Sequence, residues 1–111
     1  MRFPRFERAT IEPEKVRDYL LSTEHTVGQF KAAFFSLLGY SRGHWRRLEV
    51  DLRTIARTGR PVSVGSNAFG QKFEVSGILM GPSGRKAAVV TVWIVRPGED
   101  VPRLVTAYPG D

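Results

Sequence analysis

Gln71-Lys72-Phe73-Glu74-Val75-Ser76-Gly77-Ile78-Leu79-Met80, followed by Gly81-Pro82-Ser83-Gly84 and then the run from Lys86 to Arg96, decides the fold of this chain. In the first segment Phe73, Val75 and Leu79 fall on one side, and Glu74, Ser76 and Ile78 on the other. That is the period of a strand. The Gly-Pro-Ser-Gly segment is a hairpin turn. In the second run Val89, Val90, Val92, Trp93, Ile94 and Val95 put apolar side chains on both faces, as expected of an inner strand with both faces at least partly covered.

Outward from this hairpin the chain remains strand-like toward its end and turns helical toward its beginning. Pro97-Gly98-Glu99-Asp100 turns the chain, Pro102 to Tyr108 reads as the last strand, and Pro61 to Val64 as a short first one, with Gly65 to Gly70 as a loop. Upstream, His44 to Arg57 carries an apolar stripe of Trp45, Leu48, Leu52, Ile55 and Ala56, ended by Thr58-Gly59 with Pro61 beyond. His25 to Gly39 repeats Val27, Phe30, Phe34, Leu37 and Leu38 at helical spacing, with Thr26 as cap and Gly39 as left-handed stop. Glu12-Pro13-Glu14 opens a short helix whose face is Val16, Tyr19 and Leu20 and which ends near Ser22. Arg2, Arg5 and Arg8 alternate with Phe3 and Phe6, as an edge strand or a loose arm would; such interleaving can grip RNA by stacking, but the phenylalanines are expected to pin the arm to the core. The expectation is an α+β fold in one domain over residues 1–111. N-terminal helices pack on one face of an antiparallel sheet of about four strands.

Composition narrows the function. The formal net charge is +6 and the pI near 10.3, a balance that suits polyanions, nucleic acid above all, although a solvated basic surface gives the same sum. There are no cysteines and only two histidines, so neither a disulfide framework nor a thiolate metal site is expected, and no metal or cofactor is assigned. No run of about 18 apolar residues is present, and the N-terminus lacks the apolar run of a signal peptide. The expectation is a cytoplasmic protein that spans no membrane, a monomer or homodimer. Gly81 to Arg85 is not a phosphate loop, since it joins two strands and lacks the Lys-Ser/Thr ending.

His25 and Lys31 are the most chemically capable pair. A neutral histidine can take a ribose hydroxyl proton or protonate a leaving oxygen, and a lysine can stabilise a phosphorane-like transition state. Their spacing of six turns about 600° around a helix, so they converge only if His25 lies in the preceding loop and bends over. Thr106 and Tyr108, two apart on one strand, share a face and can bind a phosphate. Leu104 shares it by the same count, which is the mark of an ordinary half-buried sheet face. Arg42, Arg46, Arg47 and Arg53 form a basic helix face that can follow a phosphate backbone or merely be solvated. Trp93 can stack a base, but a tryptophan on an inner strand is ordinarily core.

Several phrases resemble a family of small bacterial domains of unknown function: Glu14-Lys15, Tyr19 to Ser22, His25, Gly28, Lys31-Ala32, Phe34-Phe35, Gly39-Tyr40, Val92 to Ile94 and Pro102 to Pro109. The resemblance covers about residues 11 to 109. More distantly the chain is similar to the toxin modules that include barnase, EndoU, colicin D and RelE. Those are metal-independent ribonucleases with helices before an antiparallel sheet. This likeness implies RNA cleavage leaving a 2′,3′-cyclic phosphate, with His25, Lys31, Thr106 and Tyr108 as catalytic positions and a cognate acidic antitoxin or immunity protein as partner. No glutamate stands out as a base of the barnase kind. The reading of a different class is a non-catalytic protein-interaction module, in which the apolar edge strand supplies the contact.

Overall fold

The computed structural model describes residues 4–22 and 28–110, with side chains in the second span from Lys31 onward. After a 3-10 turn at Phe6–Arg8 come helix α1 (Pro13–Lys15), which continues as a wider π-type turn over Val16–Leu20, helix α2 (Gly28–Leu37), a 3-10 turn at Arg42–His44 and helix α3 (Trp45–Thr58). Strands β1 (Val62–Asn67), β2 (Gly70–Met80), β3 (Lys86–Val95) and β4 (Arg103–Pro109) follow, paired antiparallel in the order β1-β2-β3-β4. The α+β layout read from the sequence is the observed one.

Helix α3 forms as its stripe demands. Leu48, Leu52, Ile55 and Ala56 are buried, and the helix packs over β2 and β3. Under it lie Phe73, Val75, Leu79, Val89 and Trp93. Phe6 closes one end, edge-on to Phe73 at 5.5 Å and to Trp93 at 6.3 Å, so this phenylalanine does pin the arm. The buried face holds one hydrogen-bonded polar pair. The Trp93 indole Nε1–H donates to Thr91 Oγ1 at 2.7 Å, and the Thr91 hydroxyl donates to the Val75 carbonyl at 2.7 Å. Trp93 is therefore core and not a stacking platform.

Helix α2 departs from the expected pattern. Its buried residues are Ala32 and Phe35, with Leu38 just beyond, whereas Leu37 is 65% exposed. Helical spacing allowed either stripe, because Phe34-Phe35 and Leu37-Leu38 are adjacent apolar pairs and packing chooses one member of each. Nor does α2 lie over the middle of the sheet. It leans on the Val16–Leu20 turn and on β4. The chain then reverses at Gly39, whose φ of 94° is the left-handed conformation expected of a helix stop. A Cβ there would come within 2.6 Å of the Ser83 backbone nitrogen, so the β2–β3 turn closes against the end of α2.

Two strand boundaries also differ. Residues expected as a loop after Val64 continue β1 to Asn67 and return through a two-residue turn at Ala68-Phe69 into β2. The sequence concealed this because Gly65, at φ 135°, marks a register shift inside the strand and not its end. In β4 the register also slips: Val92 pairs with Thr106 but Trp93 pairs with Leu104, leaving Val105 as an extra residue. The far edge of β4 is capped by the N-terminal arm through a parallel bridge from Thr10 to Arg103.

Candidate functional site

The bulge at Val105 sorts the last strand. Leu104 and Ala107 stand opposite Trp93 and Thr91 and are buried with them, while Thr106 and Tyr108 stand opposite Val92 and Val90 on the face turned away from α3. Strict alternation had placed Leu104 beside Thr106. One inserted residue separates them, so the polar pair is free of the core.

Lys31 reaches Thr106 from α2. Its Nζ donates to Thr106 Oγ1 at 2.7 Å and to the Tyr19 hydroxyl at 2.6 Å, and lies 4.8 Å from the centroid of the Tyr19 ring. The two hydroxyl oxygens are 3.4 Å apart. The ammonium is half-buried at the β4 edge and has no carboxylate within ion-pair distance among the described residues. An ammonium carries three N–H donors, and two of them are taken by these hydroxyls among the described residues. Burial raises the Tyr19 phenol pKa, but hydrogen bonds from Lys31 and Thr106 and the charges of Lys31 and Lys15 outweigh it, leaving the phenol below its ordinary value.

Tyr108, one step along the same face, is engaged elsewhere. Its hydroxyl donates to Glu74 Oε2 at 3.2 Å. Desolvation, the Glu74 charge and that hydrogen bond all raise the Tyr108 phenol. Glu74 is opposite Val92 in the β2–β3 register, and Val92 is opposite Thr106, so one row across three strands runs Glu74, Val92, Thr106. The described site thus gathers a lysine, two tyrosines, a threonine and a carboxylate along the Thr106–Tyr108 face. Chemically it offers a cation to hold an anion and a carboxylate to accept a proton.

Of the sequence-derived candidates, Lys31 and Thr106 are in direct contact, Tyr108 is their neighbour through the strand, and His25 lies outside the described residues. Two members of the cluster were not singled out by sequence. Tyr19 counted as part of an apolar helix face. Glu74 counted as an outward residue, yet it is the one carboxylate between Asp51 and Glu99, a signal that could have drawn attention to it.

The arginines of the proposed basic face do not form one free band. Arg42 pairs with Asp18 at 2.8 Å, Arg47 with Asp51 at 3.1 Å, and Arg53 donates to the Ala9 carbonyl at 2.7 Å while standing 3.9 Å from Glu49. Arg46 rests over the Trp45 ring at 4.8 Å. Arg42, Arg46 and Arg47 remain exposed, so they keep charge at the surface while also bracing the helices. Among the described residues no cluster of three or more His, Cys, Asp or Glu side chains could hold a metal ion, and no helix is long and apolar enough to cross a membrane.

Comparison with known proteins extends these observations. No curated protein matches the sequence. Among solved structures, a chain of a contact-dependent growth inhibition toxin–immunity protein complex from Klebsiella pneumoniae 342 superposes with a TM-score of 0.71 at 16% identity, covering 96% of this chain and 97% of that one. At that identity the likeness is one of fold. The family comparison spans residues 2–111, and the chain belongs to the family described as Domain of unknown function (DUF6883).

Proposed function

We propose that this domain is a toxin-type module that binds RNA and cleaves it without a metal, leaving a 2′,3′-cyclic phosphate. The observation that carries the reading is Lys31: a half-buried ammonium without a carboxylate partner among the described residues, braced by Tyr19 and Thr106 and beside a carboxylate-bearing sheet face. A net charge of +6 and a structural neighbour drawn from a toxin–immunity complex support it. In this reading Glu74 takes the proton of the ribose 2′-hydroxyl as that oxygen attacks phosphorus. Lys31 stabilises the extra charge of the phosphorane, Thr106 and Tyr108 position the phosphate, and His25 protonates the departing 5′-oxygen. Arg42, Arg46 and Arg47 draw the backbone in. The cognate partner of such a module is an acidic immunity-type protein. The basic charge of this chain suits the toxin side of such a pair, because nuclease inhibitors match a basic site with acid.

The test is incubation of the purified domain with total RNA in EDTA, with end-group analysis of the products. Wild type yields 2′,3′-cyclic ends, and Lys31→Ala, Glu74→Gln and His25→Ala each lower the rate by about 100-fold or more. Intact RNA with wild type overturns the catalytic claim, and undiminished cleavage by Lys31→Ala overturns the site. If cleavage is absent, the interaction-module reading takes its place. In that case partner binding is insensitive to salt, whereas RNA affinity falls steeply with it.

A further inference from the structure

Strands β1 and β2 are of unequal length, and the difference leaves a gap in the sheet. β2 pairs with β3 along its whole length, from Gln71↔Val95 to Met80↔Lys86. β1 accompanies it only as far as Val62↔Glu74, where Pro61 and Gly59 carry the chain back into α3. From Ser76 to Met80 the outer edge of β2 therefore has no strand beside it among the described residues. Helix α3 packs on β2 beside that edge, and a groove of about 420 Å³ runs between the helix and the strand. Its floor is tight: a Cβ on Gly77 would come within 2.9 Å of Ile55 Cγ1. Its walls are Asp51, Thr54 and Thr58 on the helix and the backbone of Ser76 to Met80 on the sheet. At the rim Ile78 is 63% and Met80 53% exposed.

We infer that this groove receives an extended segment of an acidic polypeptide, which adds a strand to β2 in the line that β1 vacates. Three features support the choice of occupant. First, a vacant strand edge offers alternating N–H and C=O groups at a spacing that an extended peptide satisfies and a nucleic acid does not. Second, Ile78 and Met80 lie two apart on one face, so they meet alternate apolar side chains of such a strand. Third, cations stand beyond its ends in the chain: Arg60 follows Gly59, and Arg85 and Lys86 follow the turn after Met80; all three are exposed and have no ion-pair partner among the described residues. The carboxylate inside the groove, Asp51, already accepts from the Tyr40 hydroxyl at 2.6 Å and from Arg47. A second copy of this chain is disfavoured as occupant, because it would bring another net +6 against the same cations. The groove shares no residue with the Lys31–Thr106 site, so this inference does not rest on RNA cleavage.

The probe is a synthetic heptapeptide alternating valine with glutamate or aspartate, added to the full chain and followed by amide chemical shifts. Saturable binding is expected, with the largest shifts at Ser76 to Met80. Affinity is expected to be at least about tenfold weaker for the same peptide N-methylated at alternate amides, and for its lysine analogue. Thr54→Trp, which fills the groove from the exposed side of α3, abolishes binding and leaves RNA cleavage at the wild-type level. Equal binding of the N-methylated peptide, shifts confined to other strands, or displacement of the peptide by an RNA oligonucleotide overturns the inference. So does concentration-dependent self-association that protects the same amides. If Thr54→Trp fails to fold, the N-methyl comparison on wild-type protein alone decides.

Discussion

Replacing Thr91 by valine probes the one polar pair on the buried face of the sheet. The side chain keeps its shape but loses the hydroxyl that joins the Trp93 indole to the Val75 carbonyl, both at 2.7 Å. Thr91 and Trp93 are fully buried, so water cannot take the hydroxyl's place. Stranding the indole N–H costs about 1–3 kcal/mol, and the lost bond to the Val75 carbonyl adds about 0.5–1.5 kcal/mol. A loss of roughly 2–4 kcal/mol follows, which for a domain of this size lowers Tm by roughly 8–16 °C. Urea unfolding followed by Trp fluorescence measures it, with an unchanged m-value showing that the native state has stayed compact. Thr91→Ser keeps both hydrogen bonds and removes only a methyl, so it costs about 1 kcal/mol. The reasoning is refuted if Thr91→Val is within about 0.5 kcal/mol of wild type, or if the serine variant is as unstable as the valine one.

Other perturbations follow from the same structure. Lys31→Met removes a donor and a charge from Tyr19, so the phenol's titration, followed by ultraviolet absorbance, moves upward toward the ordinary tyrosine value. Leu52→Ala empties a fully buried position under α3 and costs about 2–5 kcal/mol, whereas Leu37→Ala, on the exposed side of α2, stays within about 0.5 kcal/mol in the same denaturation assay. Hydrogen bonds from Arg17 and then Arg42 hold the Asp18 carboxyl well below the ordinary aspartate value of about 3.9. A depressed carboxyl stabilises the fold above that value and loses its contribution as pH falls toward the folded one. Wild type therefore loses more stability than Asp18→Asn on acidification below about pH 4, and the difference shrinks in high salt, since the group is at the surface.

The fold was legible because its signals were redundant. The stripe of α3, the alternation in β2 and the Gly-Pro-Ser-Gly turn each pointed to the same layout, and each occupies its expected place. Where the sequence offered two equal choices, it misled. Adjacent apolar pairs in α2 left its buried face undetermined, and Leu37 took the wet side. A glycine inside β1 looked like the end of a strand, because a register shift and a loop use the same residue. The site was legible in part: Lys31 and Thr106, far apart in the chain, do meet. Tyr19 and Glu74 escaped notice because their roles depend on contacts across elements. A tyrosine on an apolar helix face and a glutamate on an outward strand face are both ordinary until the fold sets a lysine or a second tyrosine beside them.

The extra residue in β4 makes the position of the polar face a matter of arithmetic. Upstream of Val105 the strand keeps one parity with its neighbour, and downstream it keeps the other. Removing Val105 would join Leu104 directly to Thr106 in an unbroken ladder, with Thr106 still opposite Val92, Ala107 opposite Thr91 and Tyr108 opposite Val90, so each residue keeps its face. A single-codon deletion is thus milder at Val105 than at Ala107, where the residues that follow would change face, because Val105 fills a place that the ladder does not pair.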